Sequence, residues 1–132
     1  MPELMLDTNI CIYVMKNRPR ALREKFESMQ GSLCISAITL AELYFGAENS
    51  DRVQANVDGV ERFTGGLPVL PFDAKAAAHF GAIRAHLRRA GTPISSQDTL
   101  IGAHARSEGL KLVTNNRREF DRIPGLLVEN WV

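Results

Sequence analysis

Three short, largely apolar runs, Leu4-Met5-Leu6, Leu33-Cys34-Ile35 and Leu110-Lys111-Leu112-Val113, alternate with longer segments of helical periodicity. That alternation leaves few folds open. Runs so brief read as strands, and strands joined through helices pair in parallel, with helices covering both faces of the sheet. Pro68-Val69-Leu70-Pro71-Phe72 is a further short strand bounded by prolines, which places it away from the sheet centre. Leu126-Leu127-Val128 supplies the last one. The expected class is α/β, with a mostly parallel central sheet flanked by helices. At 132 residues, with no repeat, linker or low-complexity tract, the expected organisation is one domain over residues 1–132.

The helices carry their own boundary signals. Asp7 and Thr8 offer side-chain oxygens suited to capping the helix after the first strand. Ala21 to Met29 places Leu22, Phe26 and Met29 on one face. Ser36 can cap a helix bearing Ile38, Leu40, Leu43 and Tyr44, with Glu42 in its second turn. Val53, Val57, Val60 and Phe63 define a helix that Gly65-Gly66 halts. Asp73 caps a long helix reaching about Ala90. Ser95 or Ser96 opens the helix holding Asp98, with Leu100, Ile101, His104 and Ala105 along one face.

Four acids stand at strand ends or in early helical turns: Asp7, Glu42, Asp98 and Glu119. In an open α/β sheet such positions gather at one edge. Carboxylates crowded there raise one another's pKa unless a cation joins them. The fitting cation is a hard divalent ion, Mg²⁺ with Mn²⁺ as a substitute, because both favour oxygen ligands. Metal-assisted phosphoryl chemistry follows from such a centre. The histidines, His79, His86 and His104, form no pair and lie beside no candidate acid, so they read as packing residues.

The segments around these acids, Met5-Leu6-Asp7-Thr8-Asn9, Thr39-Leu40-Ala41-Glu42-Leu43, Asp98-Thr99-Leu100-Ile101-Gly102-Ala103 and Val113-Thr114-Asn115-Asn116 with Glu119-Phe120, resemble the PIN domain. More narrowly they resemble the VapC toxins of bacterial VapBC toxin–antitoxin modules. The resemblance runs from residue 4 to Glu129-Asn130-Trp131. It implies a single PIN-like domain and a Mg²⁺-dependent endoribonuclease acting on structured RNA, with tRNA the leading substrate. Asp7 and Asp98 would be the principal metal ligands, with Glu42 and Glu119 completing the catalytic acids. Thr8, Asn9, Thr114 and Asn116 match the small polar residues that support them. Many PIN domains carry an Asp in the final motif where this chain has Asn116 followed by Glu119. Either residue can fill the fourth position on this reading. The resemblance further implies a homodimer, a VapB-like antitoxin as inhibitor in a higher assembly, and DNA contact only through that antitoxin.

Sixteen basic and fifteen acidic side chains leave a net charge of +1, so phosphate affinity must arise from how charge is distributed. Arg117 and Arg118 flank the last motif and are candidate phosphate contacts, with Arg89, Arg106 and Arg122 as further basic positions; Arg84 and Arg88 on the long helix read as a solvated face. Cys11 and Cys34 stand in apolar runs without a metal-binding spacing and read as free thiols. No apolar stretch is long enough for a membrane span, and Glu3 and Asp7 stand where a signal peptide would be basic and then apolar. The expected location is the cytoplasm. Two other functions fit part of the pattern. An aspartyl-nucleophile phosphatase could use Asp7, although Asn9 occupies the position where such enzymes carry a second Asp. A non-catalytic interaction module could retain the fold, with Asn116 as its mark.

Overall fold

Strands and helices alternate through the computed structural model, which describes residues 2–132. In chain order they are β1 (Leu4–Leu6), α1 (Thr8–Met15), α2 (Arg20–Ser28), β2 (Leu33–Ser36), α3 (Ala37–Glu48), α4 (Val53–Thr64), β3 (Val69–Leu70), α5 (Ala74–Arg89), α6 (Ser96–Ser107), β4 (Lys111–Val113), α7 (Arg117–Phe120) and β5 (Val128–Glu129). All four strand pairings are parallel, in the order β3-β2-β1-β4-β5. The expected α/β class is the observed one. The proline-bounded strand lies at the edge, because its flanking prolines cannot donate to a ladder on both sides.

Residue alternation along the strands divides the core into two layers. Leu4 and Leu6 of β1, Leu33 and Ile35 of β2, and Val113 of β4 pack with Ile10, Leu22, Phe26 and Leu43 on one face. Met5, Cys34 and Leu112 point the other way and pack with Ile83, Ile101 and Phe120. Adjacent residues of a strand face opposite sides, so β1, covered on both faces, is apolar at every position. Both cysteines are buried free thiols, as expected. Burial pushes the Cys34 thiol up to about 12 and raises Cys11 as well, which leaves both inert.

The strand order sets the site. The chain builds outward from β1 through β2 to β3, then returns to place β4 on the opposite side of β1. Loops leaving the carboxyl ends of β1 and β4 therefore diverge and open a crevice between them. Asp7 leaves the end of β1 and Thr114 the end of β4. Beneath the crevice, Ser36 at the head of α3 and His104 of α6 meet through a 2.7 Å contact between Oγ and Nδ1, with both residues fully buried. This bond ties together the helices carrying Glu42 and Asp98.

Three details differ from the sequence reading. Thr8 does not share the capping of α1: Asp7 alone caps it, accepting from the Ile10 N–H at 2.9 Å. Instead of one apolar face, α6 buries Thr99 and the continuous run Ile101–Ala105. Its Gly102 lets Ile123, Phe120 and Leu126 close against the helix where a Cβ would intrude. The four-residue α7 was not anticipated, since it is too short to show a helical period.

Phe120 fastens α7 to the core and so holds Glu119 in place. Phe120→Ala is expected to cost about 3–5 kcal/mol in urea denaturation. A loss below about 1 kcal/mol would mean that α7 is held by something else.

Candidate active site

Asp7 is the innermost member of the acidic group. Its backbone N–H donates to the Val113 carbonyl at 3.0 Å, so the β1–β4 pairing itself fixes the residue. The residue is only 4% exposed. One carboxylate oxygen accepts from Ile10, and the other accepts from the buried hydroxyl of Thr114. Burial pushes the Asp7 pKa from its ordinary 3.8 up to about 6. The Thr114 and Ile10 hydrogen bonds hold it down, while the charges of Asp98 and Glu42 push it further up.

Thr114 also accepts the backbone N–H of Asn116 at 2.9 Å, and the Asn116 amide donates to Asp98 at 3.4 Å. A continuous chain of hydrogen bonds thus runs Asp98–Asn116–Thr114–Asp7. Asp98 lies in the first turn of α6, where its backbone N–H is capped by Ser95 Oγ at 3.1 Å. Burial raises the Asp98 pKa first of all, opposed by the hydrogen bond to Ser95; the charges of Glu42 and Glu119 raise it further, and Asn116 lowers it.

Glu42 is half-buried on α3 and accepts the Thr8 hydroxyl at 2.6 Å. Thr8 Oγ1 also lies 3.4 Å from that of Thr39, a fully buried threonine one turn before Glu42. Glu119 approaches from α7 and pairs with Arg122 at 3.4 Å. Arg122 also donates to the Pro93 carbonyl at 3.2 Å, tying α7 to the loop before α6.

Asp98 and Glu42 therefore stand close enough to act on the charge of Asp7, and Glu119 close enough to act on Asp98. Among the described residues, Asp7, Glu42 and Asp98 have no basic ion-pair partner; Glu119 does. Thr8, Thr114 and Asn116 bond directly to members of the group, whereas Asn9 stands exposed one residue beyond Thr8. Arg117 and Arg118 are exposed, and Arg117 pairs with Asp121 at 3.1 Å. The sequence reading missed Thr39 as a support of Thr8. Its signal was its place three residues before Glu42, on the same helical face.

The donor set fits a hard divalent cation. It consists of carboxylate oxygens whose pKa values are raised where they are most buried, the condition that a bound cation relieves. Among the described residues no three His, Cys, Asp or Glu side chains close into a ready-made cage.

Comparison with known proteins follows the same lines. A PIN-domain profile matches residues 4–126. The chain is 50% identical over 131 residues to the tRNA(fMet)-specific endonuclease VapC of Shigella flexneri, covering 99% of each. It is likewise 50% identical to ribonuclease VapC2 of Haemophilus influenzae, covering 100% of both chains. The structure superposes on a chain of DNA-bound VapBC from Salmonella typhimurium with a TM-score of 0.96, at 50% identity and full coverage of both chains. A chain of VapBC2 from Rickettsia felis, bound to a DNA fragment from its promoter, gives a TM-score of 0.92 at 37% identity and 98% coverage of both.

The raised pKa of Asp7 makes stability depend on pH in a definite direction. Between about 4 and 6 the folded state holds the proton more tightly than the unfolded chain, so this group's contribution falls as pH rises and is flat above 6. The metal-free protein carries a penalty of about 3 kcal/mol at neutral pH from this group. Asp7→Asn keeps the shape and removes the charge. In thermal melts without metal, the variant is expected to be at least as stable as the wild type at pH 7 and, in melts from pH 4 to 6, to show a shallower fall in stability, with Asp98 supplying the remainder. A strongly lowered melting temperature would show that the cap on α1 outweighs the buried charge.

Proposed function

The chain belongs to the PIN-domain family, in the branch of the VapC ribonucleases, and on that premise we propose that it is the toxin of a toxin–antitoxin pair, a Mg²⁺-dependent endoribonuclease that cleaves structured RNA. It is an RNA-cleaving hydrolase of a class that depends on divalent metal. The observation carrying the reading is the convergence of Asp7, Glu42 and Asp98 at the β1–β4 crevice without a basic partner among the described residues. The substrate we assign is tRNA, by kinship with the tRNA(fMet)-specific endonuclease. The protein would work in the cytoplasm as a homodimer.

Asp7 and Asp98 would hold the ion, with Glu42 reaching it directly or through water and Mn²⁺ able to replace Mg²⁺. When bound there, the ion supplies charge neutralisation at the phosphoryl oxygens and lowers the pKa of the attacking water. Thr114 orients Asp7, and Thr8 orients Glu42. Such supporting bonds keep carboxylates in coordinating geometry. Asn116, whose amide donates to Asp98, acts as a positioning residue, which leaves the fourth carboxylate to Glu119. Glu119→Gln is then expected to weaken Mn²⁺ affinity, measured by calorimetry, more than Asn116→Ala does. The reverse order would move the fourth position to Asn116.

Inhibition would come from a VapB-like antitoxin laid across the crevice, with DNA bound by the antitoxin. A groove of about 500 Å³ starts at Glu42 and runs between α1, α3 and α4, past Ile12, Leu43, Gly46 and Val60. Its apolar floor suits an amphipathic segment that ends in a basic side chain at the acids. Such a side chain would occupy the place of the cation.

Asp98→Asn is expected to reduce RNA cleavage by at least about a hundredfold with the fold intact, and EDTA to abolish cleavage by the wild type. Attack by water leaves a 5′-phosphate and a 3′-hydroxyl, so the downstream fragment should ligate without prior kinase treatment. Cyclic 2′,3′-phosphate ends produced by the pure protein in EDTA would refute the mechanism.

A further inference from the structure

We propose that Arg84 and Arg88 of α5 form, with the first turn of α6, a phosphate-binding cleft that seats the RNA backbone beside the acidic centre. The inference rests on the nuclease reading and adds to it a surface that the acids do not supply. A cavity of about 240 Å³ lies between the last turns of α5 and the start of α6, lined by Arg84, Leu87, Arg88, Pro93, Ser96 and Thr99. Ser96 and Thr99 stand with Asp98 at the start of α6, so one helical turn contributes both to the cavity wall and to the acidic group. Arg122 strengthens the connection by joining Glu119 to the Pro93 carbonyl on the cavity wall.

Arg84 and Arg88 are four residues apart on α5 and share one helical face. The same two side chains border an adjoining open depression of about 600 Å³, together with Arg89. All three arginines are exposed, and none forms an ion pair among the described residues. Arg20, Arg23, Arg117 and Arg122 are each occupied by an acid. No acidic residue lines either depression. Arg84 also lies over the Phe80 ring, 5.9 Å from its centroid, which steadies its stem while leaving its N–H groups available.

Electrostatics requires such a surface. A nearly neutral protein with a buried negative centre repels a polyanion at the point where it must bind. An arginine pair beside that point offsets the repulsion, and the planar guanidinium fork matches phosphate oxygens. Contacts of this kind set the position of the strand without reading its bases. The cleft accordingly fixes which phosphate reaches the acids, and leaves base selection to other parts of the surface.

The test is binding of total bacterial tRNA in EDTA, followed by fluorescence anisotropy over a range of KCl concentrations. Arg84→Gln with Arg88→Gln is expected to weaken binding on the order of tenfold or more and to reduce the log–log salt slope by about one to two. Arg84→Lys with Arg88→Lys should restore the slope but only part of the affinity, since the charge returns without the fork. Arg20→Gln, on α2, should change neither. Unchanged affinity and slope in the glutamine variant, or no tRNA binding by the wild type, would overturn the cleft. Cleavage by wild-type protein in Mg²⁺ is measured separately: its absence would sink the nuclease reading, whereas its presence with unaltered binding by the glutamine variant would sink the cleft alone.

Discussion

Asp7 brings a carboxylate to a place where almost none of it meets water, and the groups that make this tolerable come from distant parts of the chain. Its own helix offers the Ile10 N–H, and the strand on the far side of β1 offers Thr114. Two hydrogen bonds do not recover the hydration that an ionised carboxylate loses on burial. The displaced pKa measures what remains uncompensated. The sheet must therefore be stable enough to bear a charge it has not neutralised, with apolar β1, β2 and β4 packed on both faces supplying that stability.

The polar residues around the acids act as a frame. Thr8 and Thr39 hold Glu42 to the start of α1, while Asn116 and Thr114 couple Asp98 to Asp7. Below them Ser36 and His104 lock α3 against α6. Burial lowers the His104 pKa, so the lock joins two neutral groups and adds no charge beneath the acids. This arrangement keeps an uncompensated charge at the centre and rigid hydrogen bonds around it, a division common to sites that trade stability for activity.

Much of this was legible from residue order. Apolar runs of strand length announced the sheet, and Asp7, Ser36, Asp73 and Ser95 announced helix starts, because capping is a local interaction. Asp7 and Asp98 could be named because each lies at such a boundary, whereas Glu42 and Glu119 were named through the family motifs around them. Long-range partners were another matter. That Thr8 would serve Glu42, 34 residues away, and not its own helix depends on how α3 packs against α1. The role of Arg122 depends equally on the loop at Pro93, and α7 exists because Phe120 has a core to enter. Local chemistry is written in short windows; these interactions arise only after the layers have packed.

The position of β4 beside β1 also governs time. β1 is made first and occupies the middle of the sheet, yet its neighbour is among the last strands to be synthesised. Until residues 111–114 have left the ribosome, Asp7 lacks both its backbone acceptor on Val113 and the hydroxyl of Thr114. Asp98 then has no amide from Asn116, and Glu119 does not yet exist. A nascent chain can thus fold much of its first layer before the acids have their hydrogen-bond partners. The acidic site is therefore assembled late, when β4 docks against a β1 already paired with β2.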